Sequence, residues 1–295
     1  MAPIEVTGLT RTFGELRAVD DVSFTVPGGV LTGFVGGNGA GKTTTMRLIM
    51  GLLAAHGGEV RWGDEPMTTR VRRRIGYMPE ERGLYPKQKV LDQLVYLGEL
   101  SGMSAADAKA SVLEHLDRFG LRERAGERVE KLSLGNQQRV QIIAALMTTP
   151  DGLILDEPFS GLDPSAVDSM ADLLREHASR GIPVLFSSHQ LDLVERLCDR
   201  LVVLAHGRVV ATGTVDELRG RGPELYRLTL GGDAGWVRDV AGIHVHDVDG
   251  NTALVEPDDD GARQALLRAA LDRGDVRDFA RQVPALSDIY REVTA

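Results

Sequence analysis

The sequence predicts an α/β protein built on a parallel sheet, followed by a smaller α+β domain. Three observations lead to this fold class. Short apolar strands and helices alternate over residues 152–204, which is typical of parallel strands covered by helices on both faces. A glycine-rich turn lies between a strand and a helix at residues 36–41. The composition changes at residues 219–223, where arginine, glycine and proline predict a linker between domains 1–218 and 224–295.

The first domain opens with short β-type runs. Residues 4–6, 22–26 and 31–35 are apolar or β-branched, and turn residues separate them. A helix is expected after Gly41, and Gly51 can close it. Its buried stripe comprises Met46, Leu48, Ile49 and Met50. We therefore expect an antiparallel β subdomain ahead of the main helices.

The middle of the first domain has helical spacing of apolar residues. Two stripes carry this pattern: Leu91, Leu94, Val95 and Leu97, then Val112, Leu113, Leu116 and Phe119. They predict a helical subdomain at about residues 89–139. Beyond it, strands are expected at 152–155, 184–187 and 201–204, with helices at 167–174 and 191–197.

The second domain shows a strand, helix, strand, strand, helix order. Strands are expected at 226–230, 243–246 and 252–256, and a first helix at 236–241. A second helix carries Ala262, Leu266, Ala270 and Leu271, and a last one carries Leu286, Ile289 and Val293 on one side. This order suggests a ferredoxin-like module. Such a module can stabilise a dimer, sense a ligand, or pack without a ligand.

The charge balance argues against nucleic acid as a partner. The 295 residues have a formal net charge of -9, whereas nucleic-acid binders usually present a basic face. One local exception is the cluster Arg70, Arg72, Arg73 and Arg74. We interpret it as a solvated face.

Cysteine content and hydropathy point to the cytoplasm. The single cysteine, Cys198, excludes an intrachain disulfide and suggests a buried thiol in a reducing compartment. Residues 1–14 lack the features of a signal peptide. The longest apolar run, 142–147, falls well short of the roughly 18 to 20 residues that cross a bilayer. Any membrane contact is therefore expected through another chain.

The strongest chemical motif is a phosphate-binding loop. Residues 36–44, GGNGAGKTT, match G-x-x-x-x-G-K-[ST] between a strand and a helix. The loop comprises Gly36, Gly37, Asn38, Gly39, Ala40, Gly41, Lys42, Thr43 and Thr44. Its amides can surround phosphate oxygens, Lys42 can reach the β- and γ-phosphates, and the Thr43 hydroxyl can ligate Mg²⁺.

Two adjacent carboxylates follow an apolar strand at residues 152–155. Successive residues at a strand end point to opposite sides, so Asp156 and Glu157 can serve different atoms. We assign Asp156 to Mg²⁺ and Glu157 to the attacking water as general base.

These motifs, with three others in the same order, resemble the ATP-binding subunits of ABC transporters. Residues 132–138, LSLGNQQ, resemble the family signature, and residues 160–163, SGLD, resemble its D-loop. His189, at the end of a strand, is similar to the switch histidine. The resemblance covers residues 1 to about 218.

The resemblance implies a RecA-like P-loop ATPase core that binds ATP and Mg²⁺ and hydrolyses ATP. It implies that Phe13 stacks on adenine and that His189 contacts the γ-phosphate or the attacking water. Ser133 and Gly135 would contact the γ-phosphate held by the opposite subunit, in a head-to-tail dimer and most simply a homodimer. Asp163, in the D-loop, would also bind nucleotide. Separate transmembrane permease subunits would carry the cargo, with this chain peripheral on the inner face of the cell membrane.

Three departures from the family pattern stand out. Gly37 replaces a common proline, and Leu134 and Asn136 replace the usual glycine and glutamine of the signature. Glu80 stands where the family's Q-loop normally has glutamine; a carboxylate there can still ligate Mg²⁺ but adds negative charge. Residues 80–86 also resemble the version in ABC-2-type exporters, including sodium and drug efflux subunits.

Two other functions remain open on the sequence alone. One is a soluble ABC-type ATPase that acts on nucleic acid or ribosomes, although such proteins typically have two cassettes or a long coiled coil. The other is a regulatory scaffold that binds ATP without transport.

Overall fold

A computed structural model describes residues 2–81, 83–220 and 223–282. The chain divides into two compact units, the first reaching Val215 and the second starting at Asp216. The division lies inside a short helix, Val215–Arg219, so the first residue of the linker expected at 219–223 is helical. The last predicted helix, with Leu286, Ile289 and Val293, lies outside the described residues.

The elements of the first unit follow the predicted order. Its strands are β1 (Ile4–Phe13), β2 (Leu16–Val26), β3 (Leu31–Val35), β4 (Gly57–Trp62), β5 (Glu65–Pro66), β6 (Ile75–Met78), β7 (Gly152–Leu155), β8 (Val184–Ser188), β9 (Arg200–Ala205) and β10 (Arg208–Thr214). Its helices are α1 (Lys42–Ile49), α2 (Thr69–Arg72), α3 (Val90–Leu100), α4 (Ala105–Arg118), α5 (Leu134–Leu146), α6 (Pro164–Ser179) and α7 (Leu191–Leu197), and α8 (Val215–Arg219) follows β10.

The core of this unit is a six-stranded sheet in the order β10-β9-β3-β8-β7-β6. Its strands are parallel except for β10, which pairs antiparallel with β9. The central strands β3, β7 and β8 are buried along their whole length, which confirms the predicted parallel sheet. We did not predict β10, because this edge strand exposes alternate residues and so lacks a continuous apolar run.

A second sheet, in the order β2-β1-β4-β5, forms the expected antiparallel β subdomain. Strands β1 and β2 are longer than the predicted runs 4–6 and 22–26. The polar ends of β1 and β2 pair with each other as far as Phe13 and Leu16, which lie opposite each other. Pairing with a neighbouring strand, rather than side-chain pattern, therefore sets the length of these strands.

The helical subdomain contains α3, α4 and the start of α5, within the expected range 89–139. Ser104 caps α4 by accepting a hydrogen bond from the Asp107 N–H at 3.1 Å. Helix α5 continues to Leu146 against β6 and buries Val140, Ile142 and Ile143. No helix within the described residues is long and apolar enough to span a bilayer.

The arginine cluster at residues 70–74 makes local contacts. Arg72 Nε donates to the Ile49 carbonyl oxygen at 2.8 Å, and Arg74 forms an ion pair with Asp151. Arg70 and Arg73 are exposed. The exposure of Arg70, Arg73 and Arg74 agrees with the predicted solvated face, whereas Arg72 is half-buried and holds a backbone carbonyl.

In its described residues, the second unit is a four-stranded antiparallel sheet packed against one α-helix. Its elements are β11 (Leu225–Leu230), β12 (Ile243–Asp249), β13 (Thr252–Pro257), α9 (Asp260–Arg273) and β14 (Val276–Gln282). The strand order is β12-β13-β11-β14, and the core includes Leu228, Val255 and Leu266.

Two details of this unit differ from the prediction. The helix expected at 236–241 is a 3-10 turn at Gly235–Asp239. Strand β14 was not predicted, because only Val276 and Phe279 of its sequence VRDFARQ are large and apolar. Pairing with β11 completes the strand.

Candidate nucleotide site

The phosphate loop lies between β3 and α1, at the carboxyl end of the parallel sheet. Lys42 is the first residue of α1, and its side chain is 8% exposed. Its ammonium donates to the carbonyl oxygens of Gly36 at 2.6 Å and Gly37 at 3.3 Å. Gly41 has a φ of 103°, and a Cβ there would lie 2.5 Å from the Ala18 carbonyl oxygen. This close approach requires glycine at the helix start.

A cleft of about 690 Å³ opens over this loop. The predicted site residues that line it are Phe13, Gly37, Asn38, Gly39, Ala40, Gly41, Lys42, Thr43, Thr44, Glu80, Glu157 and His189. Sequence reasoning assigned no site role to the lining residues Leu16, Ala18, Leu134, Gln138, Ser160 and Gly161. Phe13 ends β1 at the rim, where it is 44% exposed and lies 4.9 Å from the Arg11 guanidinium.

Asp156 follows β7 beneath the cleft and is completely buried. The Ser187 hydroxyl, on the neighbouring strand β8, donates to Asp156 Oδ1 at 2.5 Å. Asp156 Oδ2 has no hydrogen-bond partner among the described residues. Burial raises the pKa of Asp156; the hydrogen bond from Ser187 opposes this, and the charges of Glu80 and Glu157 add to it.

Glu157 points instead into the cleft. Its φ of 50° is unusual for a residue with a side chain. Its N–H donates to Ser187 Oγ at 2.8 Å. Its Oε1 lies 3.0 Å from His189 Nδ1 and 4.0 Å from Lys42 Nζ. The three side chains that we assigned to catalysis therefore meet at one carboxylate oxygen.

The oxygen ligands near Thr43 fit a hard cation. Thr43 Oγ1 donates to Glu80 Oε2 at 3.1 Å. The unpaired Asp156 Oδ2 provides a buried anionic oxygen. No cluster of three or more histidine, cysteine, aspartate and glutamate side chains in the described ranges can hold a metal alone. The set suits Mg²⁺, which usually takes one or two carboxylates and completes its shell with water and substrate phosphate.

Five predicted site residues do not line the cleft of their own chain. Gly36 and Asp156 follow β3 and β7 directly, and the other three are Ser133, Gly135 and Asp163. Ser133 caps α5, where its Oγ accepts from the Asn136 N–H at 3.4 Å. Asp163 caps α6 through the Ala166 N–H at 2.9 Å and pairs with Arg139 at 3.2 Å. Hydrogen bonds from Ser165 and Ala166 lower the pKa of Asp163. Gly135 lies near the Gly161 carbonyl oxygen, 2.9 Å from where a Cβ would stand.

Ser187 is the clearest residue that sequence reasoning missed. Its hydroxyl donates to Asp156 and accepts from the Glu157 N–H, and it is completely buried. It thereby joins the two adjacent carboxylate residues. The only sequence signal was a hydroxyl side chain at the end of an apolar strand, and its contact with β7 depends on the order of strands in the sheet.

Two family models match the chain. One, described as ABC transporter, matches residues 19–160. The other, described as the C-terminal domain of ATP-binding protein DrrA1-3-like, matches residues 213–294.

Curated relatives match nearly the whole chain. The ABC transporter ATP-binding protein YhaQ of Bacillus subtilis strain 168 is 37% identical, over 98% of this chain and 97% of the relative. The daunorubicin/doxorubicin resistance ATP-binding protein DrrA of Streptomyces peucetius is 34% identical, over 99% of this chain and 92% of the relative.

Solved structures match about three quarters of the chain. The structure of an ATP-binding subunit of an ABC transporter has a TM-score of 0.68 and 32% identity, covering 74% of this chain and 92% of that one. A dimeric bacterial ABC transporter cassette has a TM-score of 0.66 and 26% identity, covering 72% of this chain and 98% of that one.

The buried parallel sheet, the phosphate loop and the paired carboxylates define a RecA-like P-loop ATPase. The chain belongs to the ATP-binding proteins of ABC transporters. It is therefore an ATPase subunit of a transporter, in a family whose ATP-binding subunits dimerise and pair with permeases. These matches do not support an ATPase that acts on nucleic acid or ribosomes.

Proposed function

We propose that this chain couples ATP binding and hydrolysis, in a head-to-tail homodimer, to export by separate transmembrane subunits. The observation that carries the proposal is the convergence of Lys42 and His189 on Glu157 Oε1, above the buried Asp156. A cation, a base and a metal-type carboxylate in one cleft match the needs of phosphoryl transfer to water.

The phosphate loop would hold the triphosphate. Its amide N–H groups and the start of α1 favour negative charge. The Lys42 ammonium lies between two loop carbonyls and Glu157, which supports its proposed contact with the β- and γ-phosphates. The exposed ring of Phe13 at the cleft rim supports its proposed stacking on adenine.

Thr43, Glu80 and Asp156 would hold Mg²⁺. When bound, the ion would neutralise charge on the phosphate oxygens. Asp156 would contribute its otherwise unpaired Oδ2, fixed by the Ser187 hydrogen bond to Oδ1. Glu80 would contribute the carboxylate that now accepts from Thr43.

Glu157 would act as the general base. Its Oε1 would accept a proton from the attacking water as the water oxygen bonds to the γ-phosphorus and the bond to ADP breaks. His189, 3.0 Å away, would orient that carboxylate and the water. Glu157 is 13% exposed, so the carboxylate is sheltered but can reach a ligand in the cleft.

A second subunit would complete each site. Ser133, Gly135 and Asp163 do not line the cleft of their own chain, which supports a role for them at the nucleotide of the partner. In a two-fold dimer, the cleft of each chain would face the signature residues of the other chain. Two nucleotides would then be bound between the subunits.

The permease would bind the helical subdomain and the loop at residues 80–86, at the cytoplasmic face of the membrane. Tyr85, Tyr96 and Leu100 are large hydrophobic residues that are 48 to 66% exposed there, and such residues favour a protein partner. Relatives named for daunorubicin/doxorubicin resistance, linearmycin resistance and Nod factor export support the export direction.

The test is Glu157→Gln. The variant should bind Mg²⁺-ATP and form an ATP-dependent dimer, whereas its steady-state hydrolysis should fall by about 100-fold or more, because the general base is lost. Light scattering measures the dimer and phosphate release measures turnover. Glu114→Gln, at an exposed position on α4, is the matched control and should resemble the unmodified protein. Undiminished hydrolysis by Glu157→Gln would overturn the base assignment, and failure of the unmodified protein to bind Mg²⁺-ATP would overturn the proposed function.

A further inference from the structure

Helix α5 contacts both loops that present a carboxylate to the cleft. We propose that two glutamines on this helix are positioning residues with separate tasks: Gln138 sets the position of Glu157, and Gln141 sets the position of Glu80. This inference rests on the proposed roles of those two carboxylates.

Gln138 holds the backbone at Glu157. Its side-chain amide donates to the Glu157 carbonyl oxygen at 3.0 Å and to the Pro158 carbonyl oxygen at 3.2 Å. The side chain is only 8% exposed. Glu157 has a φ of 50°, a conformation that persists only where neighbouring groups hold it. Gln138 on α5 and Ser187 on β8 both form hydrogen bonds with the backbone of Glu157.

Gln141 holds the segment around Glu80 in the same way. It lies three residues further along α5 and is 4% exposed. Its amide donates to the Pro79 carbonyl oxygen at 2.6 Å and to the Glu81 carbonyl oxygen at 3.3 Å. These two carbonyls flank Glu80, so the bonds fix the backbone on both sides of its carboxylate.

The side-chain oxygen of Gln141 indicates that the amide nitrogen is the part of this side chain that acts on the Glu80 segment. Its Oε1 is buried and has no hydrogen-bond partner in the part of the chain that the structure describes. A buried acceptor without a partner is unfavourable. We infer that this cost is offset because the amide N–H groups of the same side chain hold the segment around Glu80.

Gln93 on α3 provides an internal comparison. It is equally buried, at 1% exposed, but neither of its side-chain polar atoms has a partner among the described residues. A buried glutamine in the helical subdomain therefore does not by itself contact a site loop. The contacts of Gln138 and Gln141 are specific to α5, the helix that begins at the signature residue Ser133.

The experiment compares Gln138→Met, Gln141→Met and the matched control Gln93→Met in the full chain. Methionine keeps an unbranched side chain of similar length and removes the amide. Thermal unfolding first establishes that each variant is folded. Phosphate release gives kcat and the KM for ATP, and electron paramagnetic resonance of Mn²⁺ gives cation affinity in the presence of a non-hydrolysable ATP analogue.

Gln138→Met and Gln141→Met should affect different quantities. Gln138→Met should lower kcat by about 10- to 100-fold, as expected for a misplaced catalytic group, with the KM and Mn²⁺ affinity changed less than about twofold. Gln141→Met should weaken Mn²⁺ binding by about fivefold to tenfold, the effect of about one lost hydrogen bond. Gln93→Met should change neither quantity.

Several results would overturn the inference. One is that Gln138→Met and Gln141→Met behave like Gln93→Met; another is that both lower kcat and Mn²⁺ affinity equally, which would indicate general loosening. If either variant unfolds, Gln138→Leu or Gln141→Leu replaces it, since leucine also lacks the amide donor and adds no charge. The same difference between the two positions is then required. If the unmodified protein hydrolyses Mg²⁺-ATP in the same assay, any of these results would contradict this inference without contradicting the proposed function.

Discussion

Replacing Asp156 with asparagine is expected to stabilise the nucleotide-free protein while abolishing Mg²⁺-dependent hydrolysis. Asp156 is completely buried, and one of its oxygens has no partner among the described residues. Asparagine has the same shape and can still accept the Ser187 hydrogen bond through Oδ1. The change therefore removes a buried negative charge close to Glu80 and Glu157 without opening a cavity.

The size of the effect follows from the buried charge, because asparagine leaves a neutral polar group without a partner at the same position. A buried polar group without a partner costs about 1 to 3 kcal/mol, and a charged one costs more. Since the Ser187 bond is retained, we expect a gain of about 2 kcal/mol in the free energy of unfolding. In a domain of this size, this corresponds to a rise in Tm of about 4 to 8 °C.

The gain should depend on pH. Burial raises the pKa of Asp156 above its ordinary value of 3.8, so the folded state binds this proton more tightly than the unfolded state. The wild-type protein therefore loses stability through this group as the pH rises from about 3.8 through the raised pKa, and the loss is complete above it. The advantage of asparagine is fully present above the raised pKa and shrinks as the pH falls through it.

Thermal unfolding of both proteins in EDTA, over a range of pH, measures this difference. Other titrating groups are common to both proteins and cancel. Adding Mg²⁺-ATP should reverse the order, because ligand binding stabilises only the protein that retains the metal carboxylate. If the asparagine variant is less stable than the wild type in EDTA at neutral pH, or if the difference does not change with pH, the reasoning about Asp156 is wrong.

Three further predictions concern other residues of the first unit. Lys42→Ala should raise the Kd for Mg²⁺-ATP by about 10- to 100-fold, through loss of charged hydrogen bonds; an unchanged Kd by calorimetry would contradict its phosphate role. Ser187→Ala leaves Asp156 Oδ1 and the Glu157 N–H without their partner, so urea unfolding should show a loss of about 2 kcal/mol, larger than that of Ser188→Ala; equal losses would argue against the bridge. Cys198 is 8% exposed and burial raises its pKa well above the usual range, so iodoacetamide should label it only after unfolding; rapid labelling of the folded protein would show that the thiol is accessible.

Local sequence patterns predicted the core elements well. The parallel strands and the helix after Gly41 appear close to the expected positions, because buried strands and a glycine-rich helix start have strong local signatures. The edge strands β10 and β14 were missed. Their half-exposed sequences form strands only because β9 and β11 offer unpaired backbone groups.

The sequence by itself determined which chemistry is present. The phosphate loop, the paired carboxylates after β7 and His189 after β8 are local motifs, and the cleft contains most of these residues. The roles assigned to these residues, and to Phe13, Glu80, Ser133, Gly135 and Asp163, remain predictions.

Only the tertiary structure decided how the carboxylates are held. Ser187 reaches Asp156 because β7 and β8 are neighbours in the sheet. Gln138 and Gln141 reach the backbone beside Glu157 and Glu80 because α5 packs close to both loops. These partners are 19 to 62 residues apart along the chain. A hydrogen bond over such a separation depends on how helices and strands pack, which no short sequence pattern specifies.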